Sequence, residues 1–439
     1  MLRSLSCFLT AVSLAIFFAP LQVRAHGGLP VSQQILWQDQ TMLVPTPFWG
    51  VFLGTDGGPW HWICEEAINP YQQRRFARGQ DGTLYATDRI GLTVSRDGGC
   101  TWKAVSSGIH TFQISAIAGE PLSARVWALA TDGDASGSGT GLWHSEDAGN
   151  SWQLVYAMKG HYPIGLVIAQ DGQTLALTSA AVMTPIAQVL HVSRDGGLNF
   201  QSQTVAFQVN GRDIGSIVPL WIDPRSPDQI YIATRNLSPN VLLRVGLSGL
   251  PAEIMRVDTG IWDMTRDAQR DQILVATSRG LWSAAGSAAL QPTNTLSASQ
   301  CVSVHGQTRY ACAWNYAPDM AAIARLSNDA MSFSPVFQFH DTQSPVACPA
   351  DTPVGKICPP IWQTYADQLG IDLGERNKTS SSGGCQISSH PSPSSVWLGL
   401  LLALSLARRR DMRQYIFRNQ RRKAHKASLL RCLTQGRPT

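Results

Sequence analysis

Long helical patterns are missing from the body of this sequence. No stretch keeps an apolar period of 3.6 residues for long enough to form one face of a helix, which argues against a helical bundle. Instead, 38 glycines and 25 prolines punctuate the 439 residues, and short apolar runs lie between them. Turn residues at this density favour β structure.

Charge is scarce and unevenly distributed. Only 15% of the residues are charged and 44% are hydrophobic, so the chain can form a large core and its bulk is not disordered by composition. Eleven of the 35 Lys and Arg residues lie in 408–439, where Asp411 is the only acid. The body of the chain is therefore net negative and offers no surface for nucleic acid.

The common catalytic and metal-binding patterns are also missing. The sequence has no CxxC pair and no Cys/His array with zinc spacing, which argues against a metal site. No Ser/His/Asp arrangement or Gly-rich phosphate loop stands out. Glu65 and Glu66 are adjacent, so on a strand they would point to opposite faces. We therefore expect no metal, no cofactor and no catalytic residue set.

Three similar octets are the strongest internal signal. They are "SRDGGCTW" at 95–102, "SEDAGNSW" at 145–152 and "SRDGGLNF" at 193–200, and they begin 50 and 48 residues apart. We call them the octet turns. A repeat of this length is typical of a propeller or a solenoid.

Four further units complete the pattern. Weaker copies lie at 54–62 and 326–336, and strand–turn outlines lie at 241–249 and 279–287. Segments such as "PIGLVIAQDGQTLALTS" predict two strands joined by an Asp-Gly turn. Seven units about 45 residues apart predict an all-β, seven-bladed β-propeller of four-stranded blades over 26–345.

The octets resemble the Asp-box (BNR) repeat, S-x-D-x-G-x-T-W, of sialidases, sortilin-type receptors, some glucanases and photosystem assembly factors. The first copy matches fully, the second has Ser151 in place of Thr, and the third ends in Asn199 and Phe200. The resemblance implies turns at the blade periphery, away from any ligand, with a calcium or catalytic role as the alternative. The residues given this structural role are Ser95, Asp97, Gly99, Trp102, Ser145, Asp147, Gly149, Trp152, Ser193, Asp195, Gly197 and Phe200.

A ligand face is expected where the chain enters the innermost strand of each blade, beside the central channel. Aromatic and polar residues at these positions suit a carbohydrate or a peptide, and the alternative is that they are simply packed. The candidate ligand-face residues are His110, His161, Tyr162, Arg212, Asp213, Trp262, Asp263, Trp314 and Tyr316.

A glycoside hydrolase is the enzymatic alternative. This chemistry needs two carboxyl groups about 5–10 Å apart, and Asp213 and Asp263 on different predicted blades could form such a pair. Sialidases also carry an Arg-Ile-Pro stretch, whereas the nearest match here, "DRIG" at 88–91, lacks the proline.

The N-terminus predicts export. Arg3, the apolar run "CFLTAVSLAIFFAPL" and "VRA" ending at Ala25 predict a signal peptide over 1–25, with a transmembrane anchor as the alternative. Cysteines in an exported protein form disulfides. The candidate pairs are Cys301 with Cys312, Cys348 with Cys358, and Cys64 with Cys100.

The C-terminus predicts attachment to a membrane. A disulfide-closed extension over 346–373 precedes a Ser/Gly/Pro-rich tether over 374–395. An apolar run followed by arginines over 396–410 predicts a membrane segment with the arginines on the cytoplasmic side, and a buried helix is the alternative. The basic stretch 411–439 is either a cytoplasmic tail or an incorrectly assigned end of the reading frame.

The order of Gly-Cys, spacer, apolar run and arginines over 383–410 resembles the myxobacterial C-terminal sorting signal (MYXO-CTERM). The resemblance implies that Cys385 is the position of processing and surface attachment, rather than a disulfide partner.

Together these features predict an exported, monomeric propeller at the cell surface. It would be anchored at the outer membrane through its C-terminal segment, or secreted after processing. We expect a non-catalytic binding module for a glycan, a peptide or an envelope protein, and no nucleic-acid partner. A divergent glycoside hydrolase and an assembly factor for an envelope complex are the alternatives.

Overall fold

The computed structural model of the protein describes residues 30–68, 75–87, 90–133, 137–182, 186–235, 238–247 and 249–373. Four predicted segments lie outside these residues: the signal peptide 1–25, the tether 374–395, the sorting segment 396–410 and the tail 411–439. The predicted attachment residue Cys385 is outside them as well. Within the described ranges, no helix has the length and apolar character needed to cross a membrane.

Seven antiparallel sheets, each with four consecutive strands, form the blades. Blade 1 contains β1 (Leu36–Gln38), β2 (Thr41–Thr46), β3 (Gly50–Thr55) and β4 (Trp60–Ile63). Blade 2 contains β5 (Phe76–Arg78), β6 (Leu84–Thr87), β7 (Leu92–Ser95) and β8 (Lys103–Ala104). Blade 3 contains β9 (Gln113–Gly119), β10 (Val126–Thr131), β11 (Gly141–Ser145) and β12 (Gln153–Ala157). Blade 4 contains β13 (His161–Ile168), β14 (Leu175–Ala181), β15 (Gln188–Ser193) and β16 (Gln201–Thr204).

The remaining blades follow a short hairpin made of β17 (Gln208–Val209) and β18 (Arg212–Asp213). Blade 5 contains β19 (Ser216–Ile222), β20 (Gln229–Arg235), β21 (Asn240–Gly246) and β22 (Ala252–Val257). Blade 6 contains β23 (Ile261–Asp267), β24 (Gln272–Thr277), β25 (Gly280–Ala285) and β26 (Gln291–Pro292). Blade 7 contains β27 (Cys301–His305), β28 (Thr308–Cys312), β29 (Ile323–Leu326) and β30 (Phe333–Phe337). The other elements are α1 (Glu65–Ile68), a 3₁₀ turn (Phe339–Asp341), β31 (Thr342–Pro345) and α2 (Pro353–Leu369).

The first strands of successive blades contact one another around a ring. Between the last blade and the first, Trp37 stacks on His305 with ring centroids 4.0 Å apart and donates from Nε1 to Ser303 Oγ at 2.9 Å. The fold is therefore a seven-bladed β-propeller, which confirms the fold predicted from the repeats.

Burial explains why the strands differ in composition. Every residue of the second strand β10, Val126–Thr131, is buried, because this strand is covered by neighbouring blades on both faces. The fourth strand β12, Gln153–Ala157, alternates between exposed and partly buried residues. The blades therefore need continuous apolar runs in the middle of each sheet and tolerate polar residues at the rim.

Each octet turn joins the third strand of its blade to the fourth. In the first, Asp97 Oδ1 accepts hydrogen bonds from Ser95 Oγ and from the backbone N–H of Thr101, both at 2.9 Å. The same pair of bonds recurs from Ser145 and Ser151 to Asp147, and from Ser193 and Asn199 to Asp195. These carboxylates bind groups within their own turns.

Glycine in the octet turns is required by both conformation and packing. Gly149 and Gly197 have φ angles of +81° and +88°, in the left-handed region. A Cβ on Gly149 would lie 3.0 Å from the ring of Tyr85, and one on Gly197 would lie 2.5 Å from Trp127. The turns of blades 3 and 4 thus pack against an aromatic side chain of the preceding blade.

The chain after blade 7 returns to blade 1, and we call residues 342–369 the clasp. Strand β31 pairs in parallel with β4, the outermost strand of blade 1. Disulfides Cys64–Cys358 and Cys100–Cys348 then join the clasp to the first two blades. The clasp therefore connects the two ends of the ring.

Two of the predicted disulfide pairings were wrong, although all six candidate cysteines form disulfides. Cys301 bonds to Cys312, as predicted. Cys348 and Cys358 do not bond to each other, because α2 directs Cys358 against Cys64 behind blade 1. Cys100 is in the octet turn of blade 2, where it bonds to Cys348 instead of Cys64.

Most of the extension 346–373 is the 17-residue helix α2. Thr352 caps the N-terminus by accepting from Gly355 N–H, and Gly370 ends the helix with φ +72°. Buried Val354, Cys358, Trp362, Tyr365 and Ala366 form its apolar face. Pro359 and Pro360 inside the helix concealed this period, because proline usually interrupts helices.

We expect the two clasp disulfides to stabilise the fold more than Cys301–Cys312. They join residues 294 and 248 positions apart, against 11 for the hairpin bond, and loop-closure entropy grows with loop length. Replacing the four clasp cysteines by Ala should lower the free energy of unfolding by at least about 5 kcal/mol, against about 3 kcal/mol for the hairpin pair. Guanidinium denaturation under oxidising conditions measures both losses, and equal losses would contradict the role of the clasp.

We expect the third octet turn to make stability depend on acid pH. Hydrogen bonds from Asn199 and Ser193 hold the pKa of Asp195 at about 2, below its usual range. The stabilisation is complete above the pKa of the unfolded chain, near 4, and is lost as the pH falls from about 4 to 2. Denaturation of the wild type and of Asp195→Asn across this range should show the wild-type advantage shrinking. A constant advantage would disprove the effect.

Candidate functional site

One face of the ring collects all nine candidate ligand-face residues. Antiparallel pairing puts the start of each first strand and the end of each second strand on the same face. We call this the entry face. In the described chain it includes 30–35, 105–112, 158–162, 205–215, 258–263, 293–300 and the second-to-third-strand loops 278–279 and 313–322. Trp314 and Tyr316 are in the last of these loops, and not at the entry to a first strand as expected.

Two tryptophans of this face border one cleft between blades 6 and 7. Trp262 is 41% exposed and Trp314 is 37% exposed, and both line a cavity of about 180 Å³. Trp314 also contacts Tyr316 edge-on, with ring centroids 5.6 Å apart. The other lining residues are Val31, Ser278, Ala298, Ser299, Gln300, Cys312 and Ala313.

Arg235 adds positive charge beside the cleft. Its guanidinium carbon is 5.1 Å from the ring centre of Trp262, and its Nη1 donates to the carbonyl of Ile261. Trp262 is held on its other side, because Nε1 donates to Ser278 Oγ at 2.8 Å. The indole therefore has a fixed orientation while much of its surface is open to solvent.

A second arginine, Arg75, is close enough to Arg235 for its charge to lower the pKa of Arg235. Burial, together with the charge of Arg75, lowers the pKa of Arg235 to about 10, and burial also lowers the pKa of Arg75. Arg75 precedes β5 in blade 2, so the two cations belong to blades on different sides of the ring. Neither forms an ion pair with a carboxylate among the described residues. Arg235 is not among the sequence candidates, because it ends a second strand and those candidates were expected at the entries to first strands.

Asp263 connects blades 6 and 7. Its Oδ1 accepts from Met264 N–H at 2.8 Å, and its Oδ2 accepts from Val302 N–H at 3.0 Å. Part of its surface is accessible, yet desolvation by the surrounding protein raises its pKa to about 6. Asp213, the other candidate carboxyl, is exposed in the β17–β18 hairpin and accepts from Gln208 Nε2 at 2.9 Å. Asp213 and Asp263 thus each accept hydrogen bonds from groups close to them, Asp213 from a side chain and Asp263 from two backbone N–H groups.

Three other candidates are exposed on the same face. His110 is in the segment before β9, Arg212 is in the β17–β18 hairpin, and Tyr162 follows the first residue of β13. No contact joins them to the Trp262–Trp314 cleft within the described part of the chain. The structure therefore distributes the candidates around the entry face and brings only some of them into one cleft.

His161 begins a polar chain that crosses blade 4. Its Nδ1 is 3.0 Å from Ser179 Oγ, which is 2.8 Å from Nε2 of His191, and His191 Nδ1 is 2.7 Å from Ser202 Oγ. Tyr156 of blade 3 joins it through its hydroxyl, 3.1 Å from His191 Nδ1. A cavity of about 390 Å³ adjoins this chain. The four strands of blade 4 and the last strand of blade 3 thus share one hydrogen-bond network.

This network should make stability depend on pH between about 6.5 and 4. Burial, with the nearby His161, lowers the pKa of His191 to about 4 from 6.5. The unfolded chain binds the proton more readily, so the stabilisation present above pH 6.5 is lost as the pH falls towards 4. The advantage of the wild type over His191→Gln in unfolding free energy should fall by roughly 3 kcal/mol over this range. An advantage independent of pH would contradict this.

The solved structures that resemble this chain share little of its sequence. No family model and no curated protein matches the sequence. A puromycin-hydrolysing peptidase of Mycobacterium tuberculosis has a TM-score of 0.48 at 13% identity, over 70% of this chain and 53% of that one. The GH74 xyloglucanase of Xanthomonas campestris has a TM-score of 0.37 at 13% identity, over 67% and 58%. A chain of the nidogen–laminin complex has a TM-score of 0.39 at 14% identity, over 61% and 94%.

Proposed function

We propose that this protein is an exported propeller that acts as a non-catalytic binding module through its entry face. The ligand would be a glycan, a peptide or an envelope protein. The observation that carries this proposal is the cleft between Trp262 and Trp314, two exposed indoles that flank one cavity. Large aromatic side chains with a fixed orientation are common anchors for ligands, since they bury much area at low entropic cost.

Charge around the cleft favours a ligand with polar or anionic groups. Arg235 lies over Trp262, and Arg75 contributes a second positive charge nearby. A guanidinium that is not paired with a carboxylate is free to bind a carboxylate or a hydroxyl of a ligand. We therefore include acidic oligosaccharides among the ligands to be tested.

Export is supported by the cysteines. The three disulfides are consistent with an extracellular protein, because such bonds persist in oxidising compartments. Attachment to the outer membrane through the 396–410 segment and Cys385 remains part of the proposal. We also propose that the octet turns are Asp-box repeats. The hydrogen bonds that Asp97, Asp147 and Asp195 accept within their own turns support this identity.

A divergent glycoside hydrolase is the second candidate. The observation in its favour is Asp263, since a carboxyl with a pKa of about 6 suits a general acid near neutral pH. Its two backbone hydrogen bonds to blades 6 and 7 favour a structural role instead.

The test is a screen of the purified full chain against immobilised neutral and acidic oligosaccharides, in parallel with fluorogenic glycosides. Trp262→Ala should weaken the best binding by at least about tenfold, as expected for an aromatic anchor. Trp262→Phe should restore part of it. Leu198→Ala is the matched control, because Leu198 is an exposed apolar residue of an octet turn on the opposite face.

Saturable binding that follows this pattern without turnover supports the binding module. Turnover that is lost in Asp263→Asn supports the hydrolase and overturns the first candidate. Equal binding by all variants would show that the cleft is not the ligand site.

A further inference from the structure

A second cleft lies between blades 5 and 6 on the face opposite the entry face. Its volume is about 560 Å³, which is within the range of small-molecule sites. Asp223 and Asp271 line it just after the first strands of blades 5 and 6. Gly286 and Ala288 line it in the turn that follows the third strand of blade 6. It is therefore separate from the Trp262–Trp314 cleft and does not depend on the proposed function.

The absence of an octet turn from blade 6 accounts for the position of this cleft. In blades 3 and 4, the glycine of the octet turn packs against Tyr85 or Trp127 of the preceding blade. The corresponding aromatic residue of blade 5 is Tyr231, which pairs with Trp221 and Arg244 on the neighbouring strands. The turn after β25 has neither the Ser/Asp pair nor the closing tryptophan, and the space beside Tyr231 is a cavity.

Three arginines and two aspartates line the cleft, so its charge is positive. Arg225 Nη1 is 2.6 Å from Asp271, and Arg266 pairs with Asp223 at 3.4 Å and with Asp271. Arg244 instead faces the hydroxyl of Tyr231, and it has no carboxylate partner in the described chain. One guanidinium charge is left over.

Arg266 lines this cleft and adds positive charge to its wall. Its side chain is 9% exposed, and its Nε–H is buried without a hydrogen-bond partner among the described residues. Arg244 is exposed, so its guanidinium is the donor that a ligand can reach.

The cleft also has an apolar wall. Ile254, Met264, Ile273 and Leu290 line it together with Ala288. A ligand that suits both parts has an anionic end for the arginines and an apolar body for this wall.

We propose that the cleft between blades 5 and 6 binds a small organic acid, whose carboxylate accepts from Arg244 beside the positive charge of Arg266 while its apolar part packs on Met264 and Leu290. The hydroxyl of Tyr231 lies near both arginines and is a further donor to the carboxylate. This site is distinct from the octet turns and from the entry face.

Fluorine NMR of 4-fluorophenylacetate titrated with the full chain tests the proposal. Arg244→Gln removes the exposed, unpaired guanidinium and should weaken the dissociation constant by about tenfold or more. Ala288→Trp fills the cleft from an exposed position and should abolish binding without a change of charge. Arg279→Gln, an exposed arginine in the β24–β25 loop on the opposite face, is the matched control and should change binding less than twofold.

The neutral amide of the same compound should bind at least about tenfold more weakly, since it lacks the charge that the arginines recognise. Equal binding of the acid and the amide would overturn the anionic class of ligand. Absence of saturable binding to the wild type, or equal binding by Arg244→Gln and Arg279→Gln, would overturn the site.

Discussion

Closure of the ring is the constraint on which the rest of this structure depends. Each blade covers the apolar faces of its two neighbours, so a ring with a gap would expose such faces on blades 1 and 7. Trp37 bridges this junction from the inside by contacting His305 and Ser303. The clasp bridges it from the outside through β31, α2 and two disulfides. The clasp and the first two blades are thus held together by covalent bonds as well as by packing.

The packing of neighbouring blades also creates the candidate ligand site. Trp262 and Trp314 are 52 residues apart in the sequence, and they border one cleft only because blades 6 and 7 are neighbours. The charge of Arg75 in blade 2 lowers the pKa of Arg235 in blade 5, because the ring brings the two side chains near each other. The octet turns are on the opposite face, where their carboxylates bind backbone and side-chain groups of their own turns. Turn formation and ligand binding therefore make separate demands on the sequence.

The repeats predicted much of the fold because they recur at one structural position. The seven unit centres fall near turns between third and fourth strands, including the weak copies beside Asp56 and Asp329. What the repeats could not predict depends on single contacts. The helical period of α2 was concealed by Pro359 and Pro360, and the pairing of Cys358 with Cys64 follows only from how that helix packs. Arg235 carries no local signal, since its role comes from Trp262 on the next blade.

The measurement that tests ring closure most directly is a disulfide map of the full chain, from mass spectrometry of a non-reduced proteolytic digest. The account predicts linked peptides for Cys64–Cys358, Cys100–Cys348 and Cys301–Cys312. Linkage of Cys348 to Cys358, or of Cys64 to Cys100, would leave the C-terminal segment without covalent attachment to the first blades. That result would contradict the clasp and the closure that it provides.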